Sequence, residues 1–233
     1  MSFRDRVKAR SEVLAGTFLN LGSPVTAEII ALAGFDWIAV DLEHGAGGEL
    51  EALHQLQAIT HTDTAGLVRI ESASGSRIAH ALDSGADGVI VPQVRSAAHA
   101  AEVVSACRYD GSRGVARYNR AWQWGVRGGR LGDADAQVTC CIQIERSDAL
   151  ADVDAIAATD GVDVLFVGPA DLGHSLGIDG GADHPALLEA AAAVSEAARR
   201  HDKAAGILTS NVAQIEHYHR LGFTFLGCSA DSA

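Results

Sequence analysis

Residues 35–45 have the sequence FDWIAVDLEHG, and this segment gives the clearest indication of the fold. Its run Trp37–Asp41 is short and mostly apolar, as a strand buried on both faces should be. The run then leads directly into polar residues, Asp41, Glu43 and His44. Strands of parallel α/β sheets and barrels carry polar functional side chains at their carboxyl ends. The stretch therefore predicts a buried parallel strand that ends at a functional rim.

The same alternation of short apolar runs and longer amphipathic runs continues along the chain. The strand-like runs are Leu14–Leu19, Trp37–Asp41, Gly66–Ile70, Gly88–Val91, Val138–Glu145, Val162–Val167, Ala205–Thr209 and Phe223–Cys228. The helix-like segments are Pro24–Ala33, Glu49–His61, Ser74–Ser84, Ser96–Cys107, Ser147–Thr159, Pro185–His201 and Asn211–Leu221. Eight strands with seven intervening helices predict a (β/α)8 TIM barrel that uses residues 1–233 as one domain. The eighth helix is missing from this chain.

An open, doubly wound sheet is the alternative fold. No G-x-G-x-x-G motif follows the first strand, which counts against it. The segment Arg108–Gln137 is a long insertion with little periodicity, and loops of this length are uncommon unless they are functional.

Composition excludes several classes of protein. The chain has 233 residues, of which 48% are hydrophobic and 21% charged, so it is not disordered. Its net charge of −12 argues against nucleic acid and anionic membrane surfaces as partners. The charged amino terminus lacks the apolar core of a signal peptide, and no apolar run reaches the ~18 residues of a membrane span. We therefore expect a cytoplasmic location.

The four cysteines form no C-x-x-C pair, so neither a disulfide framework nor a structural zinc site is expected. We expect the neighbouring Cys140 and Cys141 to point to opposite faces of one strand and to be buried as small hydrophobic residues.

Polar residues gather where the predicted strands end. These residues are Asp41 and His44 after the second strand, Arg69 in the third, Gln143 and Glu145 in the fifth, and Asp171 after the sixth. Taken singly, an aspartate at such a position often caps a helix, and an arginine often only completes an ion pair. Because the carboxyl ends of all strands share one rim of a barrel, their joint occurrence indicates a functional cluster.

This cluster has a chemical logic. Glu145 and Asp171 come from adjacent strands and offer the oxygen ligands that Mg²⁺ or Mn²⁺ prefers. Asp41 can hold the imidazole of His44 for acid–base work, and Arg69 presents a planar fork to a carboxylate or an enolate oxygen. Together they suit proton abstraction beside a carbonyl, followed by cleavage or formation of a carbon–carbon bond.

Lysine positions separate two routes for such a reaction. A Schiff-base enzyme needs a lysine inside the barrel at a strand end. The chain has only Lys8, before the first strand, and Lys203, before the seventh strand on the opposite rim. We therefore expect neither a Schiff-base lysine nor pyridoxal phosphate, and a metal–enolate route remains.

Five motifs carry a resemblance that extends from Val13 to Asp231. They are FDWIAVDLEHG (35–45), LVRI (67–70), GVIVPQV (88–94), IQIE (142–145) and VGPADL (167–172). In this order and spacing, the chain resembles the HpcH/HpaI family of metal-dependent class II pyruvate aldolases. The resemblance implies reversible cleavage of 4-hydroxy-2-oxo acids to pyruvate or hydroxypyruvate plus an aldehyde, through a metal-stabilised enolate. It implies a divalent cation, Mg²⁺ or Mn²⁺ with Co²⁺ or Zn²⁺ as further candidates.

The resemblance also assigns residues by motif position. Glu145 and Asp171 would bind the metal, Arg69 would contact the keto oxygen, and His44, held by Asp41, would act as acid and base. The remaining substrate contacts would be Gln143, Gly168, Pro169 and Ala170 for the oxo acid, with Arg120, Leu208 and Phe18 on the aldehyde side.

Further implications concern assembly and the alternative functions. The resemblance implies a homo-oligomer, a hexamer built as a trimer of dimers, in which relatives pack a carboxyl-terminal helix against a neighbour. Two other functions stay open at this point. One is an acyl-CoA lyase of the citrate lyase β type, which the scarcity of lysine disfavours. The other is a non-catalytic barrel that retains the site.

Overall fold

Eight parallel strands close into a barrel in the computed structural model, which describes residues 1–126, 128–179, 181 and 183–233. The strands are β1 Leu14–Leu19, β2 Trp37–Asp41, β3 Ala65–Arg69, β4 Gly88–Val91, β5 Thr139–Ile144, β6 Val164–Val167, β7 Ala204–Thr209 and β8 Phe223–Ala230. Each strand pairs with the next one in sequence, and β8 pairs with β1 through Leu14 and Phe225, which closes the ring. The predicted (β/α)8 barrel is confirmed.

Helices connect the strands on the outside of this ring. They are α1 Phe3–Ala9, α2 Pro24–Leu32, α3 Glu49–Ala58, α4 Gly75–Asp83, α5 Ala97–Cys107, α6 Leu131–Asp135, α7 Ser147–Ala151, α8 Val153–Ala158, α9 Pro169–Ser175, α10 Pro185–Arg200 and α11 Ile215–Arg220, with short 3-10 turns at Arg120–Gly125 and Val212–Gln214. Only three residues follow β8, so no eighth helix closes the outer layer in the described chain.

Two helical predictions need correction. The segment Ser147–Thr159 is not one helix, because it breaks at Asp152. The carboxylate of Asp152 instead accepts a hydrogen bond from the backbone N–H of Ala97, at 2.7 Å, at the start of α5. Helix α1 was not predicted, although its capping box of Ser2 and Asp5 can be read from the sequence.

Aromatic side chains fill the inside of the barrel. Trp37 stacks on Phe225 with ring centroids 4.4 Å apart, and Phe18 and Phe166 pack edge-on or tilted around them. A β-carbon on Gly16 would lie 2.0 Å from the Trp37 ring, so only glycine leaves room for that indole. Removing the Trp37 side chain would cost about 3–5 kcal/mol of stability through the cavity left behind.

Side chains alternate between this interior and an outer layer under the helices. Three strands carry the inward series Trp37–Ala39–Asp41, Ala65–Leu67–Arg69 and Cys141–Gln143–Glu145. The polar members of each series are therefore the last inward-facing layer at the carboxyl end of the barrel. The predicted opposite orientation of Cys140 and Cys141 is confirmed, because they belong to the outer and inner apolar clusters respectively.

The insertion Arg108–Gln137 connects α5 to β5, so it lies at the amino-terminal face of the barrel. Within it the Trp122 indole N–H donates to the Tyr109 hydroxyl at 2.9 Å, and Arg113 pairs with Asp83 of α4 at 2.7 Å. The insertion is thus fastened to the wall of the barrel rather than to its catalytic rim. Among the described residues, no helix has both the length and the hydrophobicity that crossing a membrane requires.

Candidate active site

A buried ion pair stands at the carboxyl ends of β2 and β3. Asp41 and Arg69 are partners in the strand register, and Nε and Nη2 of Arg69 donate to the two carboxylate oxygens of Asp41 at 2.8 and 2.7 Å. The guanidinium also lies over the Phe18 ring, 4.8 Å from its centroid. Burial alone would lower the pKa of Arg69, but the bond to Asp41 and the nearby carboxylates raise it above its usual value. Arg69 is therefore a fixed, permanent positive charge.

Asp41 also shapes the loop that follows β2. Its Oδ1 accepts hydrogen bonds from the backbone N–H groups of Glu43 and His44, at 3.1 and 3.2 Å. A β-carbon on Gly45 would lie 2.1 Å from the carbonyl oxygen of Asp41, so the tight turn needs glycine there. The predicted side-chain dyad of Asp41 and His44 is wrong in this structure: Arg69 occupies both carboxylate oxygens, and the imidazole is 61% exposed.

Glu43 is a residue of this site to which the sequence analysis assigned no role. Its Oε2 is 3.4 Å from Nη1 of Arg69, and its Oε1 is 3.9 Å from Nε2 of His44. Burial raises the pKa of Glu43 to about 7 although the charge of Arg69 opposes this, and the charge of Glu145 raises it further. Its position between Asp41 and His44, in the motif of residues 35–45, is the one feature of the sequence that could have identified it. It can hold or release a proton near neutral pH.

Glu145 is held rigidly just after β5. It is 1% exposed, and its Oε1 accepts from the backbone N–H of Gln93 at 2.6 Å while its Oε2 accepts from the side-chain amide of Gln143. Gln93 has a left-handed backbone, with φ of 57°, which turns its N–H toward this carboxylate. A β-carbon on Gly168 would lie 3.0 Å from both Glu145 and Gln143. Gln93 was also missed, since its backbone role has no signature in the sequence.

Asp171 places a second carboxylate near Glu145. It lies in the first turn of α9, a helix that begins with Pro169 after the N-cap residue Gly168. Burial raises the pKa of Glu145, and the negative charge of Asp171 raises it further. Two mutually repelling carboxylates are stabilised when a cation lies between them.

The donor set at this rim fits a divalent cation. In the described part of the chain, no group of three or more His, Cys, Asp or Glu side chains forms a metal cluster. Glu145 and Asp171 would be the protein ligands, and the remaining positions would go to water and substrate, as Mg²⁺ and Mn²⁺ commonly allow. The buried Oε1 of Gln143 has no hydrogen-bond partner among the described residues, so a polar acceptor is also available there.

A cavity of about 340 Å³ opens beside α9 at the same end of the barrel. Pro169, Ala170 and Leu208 contribute apolar walls, and Thr209 and Ser229 contribute hydroxyls. The structure thus places these predicted substrate contacts together. Phe18 is not on this wall, because it is 2% exposed and lies beneath Arg69. Its ring supports the guanidinium, and its expected contact with substrate stays a prediction.

Arg120 does not reach this site within the chain. Its guanidinium donates to the carbonyl oxygens of Ser84 and Leu56, both at 3.0 Å, and to the Thr60 hydroxyl at 2.7 Å. These groups end α3 and α4 at the amino-terminal face. Within this chain Arg120 lies at the end of the barrel opposite the carboxyl-terminal rim, because a segment between a helix and the following strand lies there. Its contact with the aldehyde stays a prediction.

Comparison with known proteins agrees with this geometry. Residues 14–233 match the family model described as HpcH/HpaI aldolase/citrate lyase. A hydroxypyruvate/pyruvate aldolase from Paraburkholderia phytofirmans is 38% identical, with 99% of this chain and 93% of that protein covered. A 5-keto-4-deoxy-D-glucarate aldolase from Enterobacter sp. (strain 638) is 35% identical, with coverage of 96% and 88%.

A solved structure gives the same result. The HpcH/HpaI aldolase/citrate lyase family protein from Burkholderia cenocepacia J2315 superposes with a TM-score of 0.94 at 37% identity, covering 98% of this chain and 92% of that one. The motifs, the closed barrel and the identities over nearly the whole chain lead to one conclusion: the protein is a carbon–carbon lyase that belongs to the HpcH/HpaI aldolase/citrate lyase family.

Proposed function

We propose that the protein is a divalent-metal-dependent aldolase that cleaves 4-hydroxy-2-oxo acids reversibly to pyruvate or hydroxypyruvate and an aldehyde. The observation that carries this proposal is the buried Glu145 carboxylate beside Asp171, on the same rim as the fixed charge of Arg69. The names of the aldolase relatives support the choice of an oxo acid as substrate.

The reaction has a simple balance of bonds and protons. A base removes the proton from the C4 hydroxyl, the C3–C4 bond breaks, and its electron pair becomes the enolate of the oxo acid while C4 leaves as an aldehyde. Protonation of C3 then gives the keto product. Cleavage of the C3–C4 bond places negative charge on the oxygen at C2 until C3 is protonated, so the enzyme must stabilise that oxygen.

Arg69 is positioned for this task. Asp41 and the Phe18 ring hold its guanidinium in place. Among the described residues its Nη1 has only the 3.4 Å contact with Glu43 and can donate to the C2 oxygen. A divalent cation held by Glu145 and Asp171 would polarise the same carbonyl.

His44 and Glu43 are the groups that we assign to proton transfer. The imidazole is exposed at the mouth of the site, where it can exchange protons with solvent and substrate, and Glu43 rather than Asp41 is the carboxylate nearest its ring. A carboxyl group whose pKa is about 7 and a histidine are both suited to acid and base work at neutral pH.

The 340 Å³ cavity beside α9 is the site that we assign to the aldehyde. Leu208 would contact the carbon chain, the hydroxyls of Thr209 and Ser229 would contact an oxygen, and Pro169 and Ala170 would border the oxo acid. Gln143 and the backbone at Gly168 would seat the oxo acid.

Retro-aldol cleavage tests the proposal directly. Pyruvate released from 4-hydroxy-2-oxo acids of different chain length should be measured with Mg²⁺ or Mn²⁺, after chelation, and after the metal is restored. We expect cleavage that disappears with the chelator and returns with the metal. Full activity after thorough metal removal, or none on any of these acids with metal present, would refute the proposal.

We also infer a homo-oligomer, with a hexamer as the form that family resemblance favours. An apolar stripe on the outer face of α2 supports this, since Val25, Ile29 and Leu32 are 62%, 61% and 72% exposed at helical spacing. Light scattering after gel filtration should give six times the chain mass of 24.2 kDa. A mass equal to one chain would contradict the inference.

A further inference from the structure

The only two lysines of the chain, Lys8 and Lys203, line one cleft of about 440 Å³. Lys8 lies in α1, beneath the barrel, and Lys203 directly precedes β7. Asp163, which directly precedes β6, lies between them, 3.9 Å from the ammonium of Lys8. The cleft is therefore at the amino-terminal face, at the opposite end of the barrel from the carboxylate-rich rim.

The side chains that line this cleft carry more positive than negative charge. Each of three arginines has an aspartate partner: Arg4 with Asp163 at 3.0 Å, Arg10 with Asp202 at 2.9 Å, and Arg108 with Asp160 at 3.4 Å. These pairs use all three carboxylates that line the cleft. Both lysines are then surplus positive charge, in a protein whose net charge is −12.

The contacts of the two lysine ammonium groups also show that carboxylate partners are lacking. Asp163, the nearest carboxylate to Lys8, already accepts from Nε of Arg4 and from the backbone N–H of Cys140. Lys203 makes one hydrogen bond to the described residues, to the carbonyl oxygen of Thr159 at 3.4 Å. Neither lysine has a carboxylate of its own, so each can accept a new anionic partner.

Two further features indicate that an anion would be stabilised here. Nη1 of Arg10 is buried and has no hydrogen-bond partner among the described residues, although Nη2 of the same side chain is paired. Burial lowers the pKa of Lys203, and the charges of Lys8 and Arg4 lower it further against the opposing effect of Asp163 and Asp160. A bound anion would relieve both the unpaired donor and the repulsion among the cations.

We propose that this cleft binds a phosphate group, either as a free inorganic ion or as part of a small phosphorylated molecule. Lysine ammoniums are compact point charges with three donors each, which suits the tetrahedral oxygens of phosphate, and Arg10 adds a guanidinium N–H. The volume of the cleft exceeds that of phosphate alone and leaves room for the rest of a small molecule. This site is separate from the proposed aldolase centre and does not depend on that assignment.

Calorimetric titration of the intact protein tests the proposal. Inorganic phosphate, inorganic pyrophosphate and ribose 5-phosphate should each be titrated at constant ionic strength without divalent metal, with sodium chloride and citrate as controls. We expect saturable binding of at least one phosphate compound. Preference for ribose 5-phosphate over the two inorganic ions would identify a phosphorylated molecule as the ligand, and the reverse preference would identify the free ion.

Lysine variants locate that binding. Lys8→Gln and Lys203→Gln should each weaken it by about tenfold or more, because each removes one charge-assisted contact. The matched control Arg220→Gln removes a positive charge from the exposed pair with Glu216 on α11 and should leave the affinity unchanged. Lys8 is 54% exposed, so its replacement leaves the fold intact even if Lys203→Gln does not.

Three results would overturn the proposal. They are the absence of saturable binding of every phosphate compound to the intact protein, binding of citrate as tight as that of the phosphates, and unchanged affinity in the Lys8→Gln variant.

Discussion

Each end of the barrel has a buried arginine–aspartate pair, yet the two ends differ in chemistry. Arg69 and Asp41 form the pair at the carboxyl end, and Arg4 and Asp163 form the pair at the amino end, with Nε–O distances of 2.8 and 3.0 Å. At the carboxyl end the neighbours are further carboxylates, above all Glu43 and then Glu145. At the amino end the neighbours are lysines. The charge around the pair, and not the pair itself, therefore decides which ion each end can bind.

The two arginines also differ in what their remaining donors do. Nη1 of Arg4 donates to the carbonyl oxygens of Asp135 and Ala136, at 3.2 and 3.4 Å, so this guanidinium fastens the insertion to the bottom of the barrel. Within the part of the chain that the structure describes, Nη1 of Arg69 has only its 3.4 Å contact with Glu43. The first pair is structural, and the second is open to a substrate.

Replacing one carboxylate at each end gives the largest expected difference. Glu145→Gln should lower kcat about 10³-fold or more, because it removes a proposed metal ligand, while leaving the fold intact. Asp163→Asn should instead lower the free energy of unfolding by about 3–5 kcal/mol, because it leaves Arg4 buried without its counter-charge. Urea unfolding and retro-aldol rates of the folded fraction measure the two effects. If both variants had similar retro-aldol rates and similar losses of unfolding free energy, the proposed difference between the two ends of the barrel would be contradicted.

Replacing each of the two arginines by lysine tests whether the two arginine–aspartate pairs differ in function. Arg69→Lys should lower kcat about 10²–10³-fold, since an ammonium cannot bond Asp41 through two donors and still reach the C2 oxygen. Arg4→Lys is the matched control and should change stability but leave kcat near that of the unchanged protein. If both variants kept full kcat, Arg69 would be a structural residue like Arg4.

His44→Gln tests the exposed part of the carboxyl end. We expect kcat to fall about 10²-fold through loss of proton transfer, with the affinity for Mn²⁺ unchanged because Glu145 and Asp171 remain. Calorimetric titration with Mn²⁺ and steady-state kinetics separate the two readouts. His201→Gln, at the amino end, is the matched control for kcat. Loss of Mn²⁺ binding in His44→Gln would mean that the imidazole is a ligand rather than a proton carrier.

Glu43→Gln should have the smallest effect on the free energy of unfolding, and this effect depends on pH. Because the folded-state pKa of Glu43, about 7, lies above the usual value of 4.5, its charged form is penalised only in the folded protein. The penalty is absent below pH 4.5 and complete above pH 7. Relative to the variant, the unchanged protein should therefore lose about 1–2 kcal/mol of unfolding free energy between pH 5 and pH 8. A stability difference that is constant across this range would contradict the raised pKa.

Much of the fold could be predicted from the sequence, because buried parallel strands are short apolar runs and all eight were found within a few residues of their bounds. The rim cluster could also be predicted, since Asp41, Arg69 and Glu145 continue the inward alternation of their strands. The alternation of side chains along the strands is enough to predict both the strands and the rim cluster.

The remaining details depend on three-dimensional contacts. The sequence paired Asp41 with its near neighbour His44, whereas the register places Asp41 beside Arg69, 28 residues away. The contacts of Arg120 with the ends of α3 and α4 likewise join residues far apart in sequence, which motif position does not encode. The raised pKa of Glu43 arises from burial between strands, which no local pattern encodes.

Deuterium exchange of the methyl protons of pyruvate is the most direct test of the central claim that the carboxyl-end rim enolises an oxo acid with the help of a metal. Pyruvate would be incubated in D₂O with Mn²⁺ and either the unchanged protein, the Glu145→Gln variant or the Arg4→Lys variant, and in a fourth sample with the chelated protein. Mn²⁺ would then be removed, and proton NMR would measure the remaining methyl signal. We predict exchange with metal in the unchanged protein and in Arg4→Lys, and none after chelation or in Glu145→Gln. Exchange that persists without metal and in Glu145→Gln would contradict the account.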